Sequence, residues 1–233
     1  MRITLILCSL LKASCVFIPK YTLTNSKQIK YQNMINDKNL QIIIVNGPAG
    51  TGKTMIACQE AIKMFKNNEK SKIIITRPVV TVEENIGFLP GNLEDKLYPY
   101  MIPVYDYFLE YYTKETLTSL ITSNKIEIAP LAFMRGRTFK DAIIIADEMQ
   151  NTTPNQMKTI LTRIGENSKL IIMGDLEQKD LNVYNGLQNL IDLINNKYPN
   201  YYPMDKDGFG YIYLDKSCIK RSPIIEKILN LYE

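Results

Sequence analysis

Residues 47–54 read Gly-Pro-Ala-Gly-Thr-Gly-Lys-Thr, a full match to the phosphate-loop pattern G-x-x-x-x-G-K-[ST]. No other stretch narrows the fold so far, because the pattern works only between a strand and a helix. Both flanks fit. Residues 41–45 carry the run Ile42-Ile43-Ile44-Val45, apolar and β-branched, which predicts a strand buried on both faces. From Met55 to Phe65, the residues Ile56, Ala57, Ala61, Met64 and Phe65 recur at helical spacing. In that setting Gly47, Pro48, Ala49, Gly50, Thr51 and Gly52 turn backbone N–H groups toward a polyphosphate, and the helix N-terminus adds partial positive charge. Lys53 is then the residue that reaches the β- and γ-phosphates, and the Thr54 hydroxyl the one that holds Mg²⁺.

The remaining apolar runs extend the same plan. Strands are expected near 72–76, 126–129, 142–146 and 169–173, with helices near 26–35, 94–110, 154–164 and 186–195 between them. The 94–110 helix is expected to break near Pro99 and Pro103. An edge strand at 211–214 and a last helix at 224–232 complete the reading. Strands alternating with helices predict one doubly wound α/β domain with a mainly parallel sheet and a ligand at the carboxyl ends of its strands. Several polar residues fall at those ends. Ala142–Ala146 runs into Asp147-Glu148: after a complete phosphate loop, Asp147 is the expected Mg²⁺ partner and Glu148 the residue that activates water. Gln178, in the polar tip 174–178, is a candidate sensor of the γ-phosphate or part of a turn. Gln28, upstream of the loop beside Tyr31, is a candidate reader of adenine or a residue of a solvated helix. Arg77-Pro78 offers a contact to nucleic-acid phosphate, support for the nucleotide site, or a surface arginine satisfying loop carbonyls. Arg135-Gly136-Arg137 suits phosphate or RNA, or pairs with carboxylates across an interface. The tyrosines at 98, 100, 105, 107, 111 and 112 read first as packing and second as base-stacking rings.

Composition removes other chemistries. The chain of 233 residues has no histidine, which excludes His-based metal sites and catalytic triads. Its four cysteines, at 8, 15, 58 and 218, lack zinc spacing and suit a reducing, cytoplasmic setting, with Cys58 a packed thiol. A net charge of +4 permits a nucleic-acid partner without requiring one. The apolar stretch 3–11 is too short to span a bilayer as a helix, so residues 1–25 are expected to form a leader or packed extension ahead of a domain at 26–233, with no stable membrane insertion.

Several separate segments together resemble the PhoH-like ATPases, relatives of superfamily 1 helicases. They are GPAGTGKT at 47–54, ITRP at 75–78, ENIGFLPGNLEDKLYPYMIPVYD at 84–106, IEIAPLAFMRGRTF at 126–139, DEMQNTTPNQM at 147–157, LTRIG at 161–165 and GDLEQ at 174–178. The sequence departs from the family pattern at Met149, where alanine is usual, and at Ser222, where histidine is usual. The resemblance implies a P-loop NTPase of the RecA/helicase type, ATP and Mg²⁺ as ligands, hydrolysis as the reaction, and RNA or single-stranded nucleic acid as partner. It further implies a homo-oligomeric ring, a hexamer in relatives. A ring would let one copy supply the arginine that a lone domain lacks, with Arg163 and Arg221 as candidate donors or as structural ion-pair partners. A small-molecule kinase and an ATP-binding regulatory module on the same fold are the alternatives.

Overall fold

Six strands form a single sheet in the order β3-β2-β4-β5-β1-β6, and every neighbouring pair is parallel. They are β1 (Ile42–Asn46), β2 (Lys72–Arg77), β3 (Ile126–Pro130), β4 (Ala142–Ala146), β5 (Lys169–Gly174) and β6 (Phe209–Tyr213). The computed structural model describes residues 17–78, 93–178, 185–201 and 204–219, with the backbone alone for 93–100. The apolar leader 3–11, the first nine residues (84–92) of the segment 84–106 and the expected last helix therefore lie outside the described residues.

Parallel strands need crossovers, and helices provide them on both faces. Alternation along each strand sorts the core into two halves. Ile43, Val45, Ile73, Ile75, Ile143, Ile145, Ile171 and Met173 face α1 (Ser26–Asn36), α2 (Lys53–Lys66) and α3 (Leu93–Leu109). Ile44, Ile74, Ile144, Leu170 and Ile172 face α5 (Pro154–Leu161) and α6 (Gly186–Lys197). Each isoleucine so buried contributes about 1.5–3 kcal/mol. Strands β4 and β5 are buried along their whole length, which explains their lack of alternation in sequence.

Helix ends follow local chemistry. Asn25 caps α1, Thr113 caps α4 (Lys114–Thr122), Asn185 caps α6, and Thr153 with Gln156 forms a capping box on α5 with proline in its first turn. Helix α5 stops at Leu161, short of the expected 164, because Arg163 and Ile164 pair their backbone with Phe139 instead. Helix α3 is continuous through Pro99 and Pro103, a correction to the expected break. The two prolines stand four apart, so the missing donors fall on one side and leave the other hydrogen-bond rows intact.

Helix α1 is tied down by polar groups as well as by packing. Glu60 on α2 is 1% exposed, and its carboxylate accepts from Gln32 at 2.6 Å, Asn36 at 2.8 Å and Lys63 at 3.0 Å. Lys169, at the start of β5, donates to the Ile35 and Asp37 carbonyls at the helix end, each at 2.6 Å. Ahead of α1, Phe17 stacks on Tyr111 at 5.5 Å, and Tyr21 exchanges hydrogen bonds with the side chain of Gln59. Tyr105, Tyr107, Tyr111 and Tyr112 pack against the α2 side of the core, which is the packing reading of the tyrosine cluster. Among the described residues no helix is long and apolar enough to cross a membrane.

Candidate nucleotide site

The sheet brings its polar strand ends to one edge. Strand β1 delivers Gly47, β4 delivers Asp147, and β5, paired to β1 with Gly174 opposite Asn46, delivers Asp175. The glycine loop closes tightly over this edge. A Cβ on Gly47 would sit 2.1 Å from the Leu214 carbonyl oxygen, and Gly52 holds φ at +87°, so neither position takes another residue without strain. Thr51 is fully buried, and its hydroxyl donates to the Pro48 carbonyl at 2.9 Å. The Ala49 N–H donates to Asp175 Oδ2 at 3.0 Å, which pins the loop to β5.

A cleft of about 260 Å³ opens between these ends. Ala49, Gly50, Gly52, Lys53 and Thr54 line it from the loop, Asp147 and Glu148 from β4, and Gln178 from the tip after β5. Thus the residues expected from sequence to touch phosphate, metal and water converge, although they come from three separated segments. Lys53 Nζ donates to the Gly47 and Pro48 carbonyls at 2.5 and 2.9 Å. Burial holds its pKa below the ordinary 10.5, while Asp175, Asp147 and Glu148 pull the other way. The Thr54 hydroxyl lies 3.3 and 3.2 Å from the two Asp147 oxygens.

Glu148 is exposed to the cleft and adopts φ of +56°. A non-glycine residue in this region is costly to hold, and such strain gathers at working sites. Gln150 supports it. This side chain is 1% exposed, its Nε2 donates to Glu148 Oε2 at 2.7 Å, and its Oε1 accepts from the Asp175 N–H at 3.1 Å. Gln150 therefore links the exposed acid to the β5 tip that carries Gln178. It stands inside the segment 147–157, yet its paired amide role depends on β5 and has no local signal. Tyr107 also lines the cleft, from α3, at a position where the sequence predicts packing.

Other candidates stand elsewhere. Gln28 is 4% exposed, and its Nε2 donates to the Thr51 carbonyl at 2.9 Å and the Cys218 carbonyl at 3.1 Å. In this structure the amide braces the phosphate loop against α1 and the segment after β6. Arg77 is an exception in place: its guanidinium donates to the Asp147 carboxylate at the cleft. Arg137 pairs with Glu127 of its own chain and stands 4.6 Å from the Phe139 ring. Arg135, next to it, is exposed. The chain beyond α5 brings Arg163 back toward the amino ends of the strands, where its backbone pairs with Phe139 ahead of β4. There its guanidinium donates to the Thr159 and Arg137 carbonyls and to the Thr162 hydroxyl. Arg221 lies outside the described residues. Cys58 is buried in α2, and burial raises its pKa.

Comparison with known proteins places this architecture. A family model described as PhoH-like protein matches residues 21–233. A PhoH-like protein of Synechocystis sp. is 41% identical over 209 residues, which are 89% of this chain and 60% of that protein. A PhoH-like protein of Bacillus subtilis is 43% identical over 198 residues, 84% of this chain and 59% of that protein. The chain thus spans about three-fifths of the length of these curated relatives. Among solved structures, the large terminase of a thermophilic bacteriophage matches with a TM-score of 0.50 at 13% identity, over 91% of this chain and 51% of that one. That likeness concerns the fold.

Proposed function

This chain belongs to the PhoH-like family, and from that membership we propose that it is a Mg²⁺-dependent ATPase acting with RNA or single-stranded nucleic acid. The observation that carries the reading is the convergence of Lys53, Thr54, Asp147, Glu148 and Gln178 on one cleft. Lys53 and the loop N–H groups would hold the phosphates. The Thr54 hydroxyl and the Asp147 carboxylate are hard oxygen donors close enough to share one cation. Among the described residues no group of three or more His, Cys, Asp or Glu could hold a metal. Mg²⁺ is commonly held by one or two protein oxygens plus substrate phosphates and not by an all-protein cage. Bound there, the ion would neutralise charge on the β- and γ-phosphate oxygens. Glu148, held by Gln150, would accept the proton of the attacking water. Gln178 would meet the γ-phosphate from the tip after β5.

The nucleic-acid half rests on surface chemistry. On the loop after β3, Phe133 is 46% exposed and stands two residues from exposed Arg135. A ring beside a cation is the pairing that stacks and neutralises a single strand. Phosphate release measured with and without RNA and single-stranded DNA tests the whole reading. Lys53→Ala is expected to abolish ATP binding. Glu148→Gln is expected to keep binding and slow hydrolysis by about a hundredfold or more. Phosphoryl transfer to a metabolite would point to the kinase alternative, and tight binding without turnover to the regulatory one. Wild-type turnover in Glu148→Gln would remove Glu148 from the chemistry.

A further inference from the structure

Strands β2 and β4 are paired with Thr76 opposite Ala146. One step beyond the ladder, that register sets Arg77 opposite Asp147. Both side chains leave the sheet on the α2 face, as Ile73, Ile75, Ile143 and Ile145 do before them. The contact is close: Arg77 Nη2 lies 2.5 Å and Nε 3.1 Å from the same oxygen, Asp147 Oδ2. The other oxygen, Oδ1, accepts from the Glu148 N–H at 3.1 Å, and the Thr54 hydroxyl stands 3.3 Å from Oδ1 and 3.2 Å from Oδ2. The guanidinium and the phosphate-loop hydroxyl therefore meet at the same carboxylate oxygen, Oδ2. Asp147 is 2% exposed and Arg77 16%. A carboxylate so buried is stable only beside a positive charge, and Arg77 supplies one from the adjacent strand.

A Mg²⁺ ion between Thr54 and Asp147 would supply that charge a second time, and two cations on one carboxylate repel each other. We infer that Arg77 is the resident counter-ion of Asp147 and competes with Mg²⁺ for it, so that Arg77 sets the Mg²⁺ concentration at which the nucleotide site fills. This rests on the reading that Thr54 and Asp147 hold the ion. Arg77 is in this account a positioning residue. It touches the acid and not the reacting atoms.

The test is binding of a fluorescent ATP analogue titrated against Mg²⁺, alongside melting temperature with Mg²⁺ alone. Wild-type protein should bind the analogue in a Mg²⁺-dependent way and show little change in melting with Mg²⁺ alone. Arg77→Met should reach half-maximal binding at about tenfold less Mg²⁺. It should also melt lower than wild type and recover part of that loss when Mg²⁺ alone is added, because Asp147 then lacks its counter-ion. Arg77→Lys keeps the charge on a flexible stem without the planar fork and should fall between the two, which preserves the test if the methionine variant folds poorly. The double variant Arg77→Met/Asp147→Asn should melt above Arg77→Met, with no response to Mg²⁺. An equal or higher Mg²⁺ requirement in the Arg77 variants overturns the inference and leaves a structural ion pair. Analogue binding by the wild type that ignores Mg²⁺ overturns the underlying site assignment instead, so the two failures are distinct.

Discussion

Glu127 shows how much of this protein's charge is committed to pairing inside the chain. It is the second residue of β3, beside Lys72 at the start of β2. Lys72 donates to Oε2 at 2.7 Å, while Arg137 grips both oxygens, Nη2 reaching Oε2 at 2.8 Å. Those hydrogen bonds, Arg137 first, pull the Glu127 pKa from the ordinary 4.5 to about 2 against the opposing effect of burial. The sign follows. A carboxylate with a depressed folded-state pKa contributes stability above about pH 4.5 and loses it as the pH falls toward 2. Glu127→Gln should therefore lose about 1–2 kcal/mol at neutral pH, allowing for solvent screening at the partly exposed Arg137. Urea titrations across pH should show that deficit shrinking between pH 4.5 and 2. From sequence alone Arg137 reads equally as an RNA contact, because its partner arrives from a strand whose alignment with the loop is not local.

Among the elements, α1 is held in place most unusually, by a lysine from a strand. Lys169 is 5% exposed, yet it is the residue that satisfies two carbonyls at the end of α1. Lys169→Met would leave both without a donor and should cost about 1–3 kcal/mol, read by urea unfolding. Hydrogen exchange should show α1 loosening first. Burial lowers the Lys169 pKa from 10.5 to about 8. Above pH 8 the folded protein sheds the proton before the unfolded chain does, so this group's contribution to stability rises between about pH 8 and 10.5. The difference between wild type and variant should widen over that range. The inner strands β1, β2, β4 and β5 are legible because continuous Ile and Val runs mean burial on both faces. The phosphate loop is legible because each of its residues has a local task. Helix α4 is not: Thr113 caps it, but its run of Thr and Ser gives a weak helical signal. The bonds that complete the site, Gln150 to Asp175 and Arg77 to Asp147, are also not legible. They depend on which strands become neighbours, and nothing within either segment encodes that.

For the molecule as a whole, the placement of the arginines bears on assembly. Among the described residues that line the cleft, Lys53 is the one cation. Arg163 is engaged with its own chain, so the proposed ring would draw the missing arginine from elsewhere on a neighbour, with Arg221 the remaining candidate. Specific ATPase activity should then fall on dilution, and light scattering should follow the same curve. A monomer with constant specific activity would end that proposal. The sheet order has another consequence, and it concerns time. Strand β1, which carries the glycine loop, pairs only with β5 and β6, and Ile42 meets Leu170 and Phe209. On the ribosome the loop emerges long before either neighbour. At roughly 5–20 residues per second the interval is on the order of ten seconds. Through that interval Ile42–Val45 is an apolar strand with nothing beside it, a surface for chaperones to shield or for other nascent chains to find. β2, β3 and β4 can pair with one another in the meantime, since none of them pairs with β1, and β4 then waits only for β5. The residues that identify this protein most plainly in its sequence are thus among the last to acquire their working shape during its synthesis.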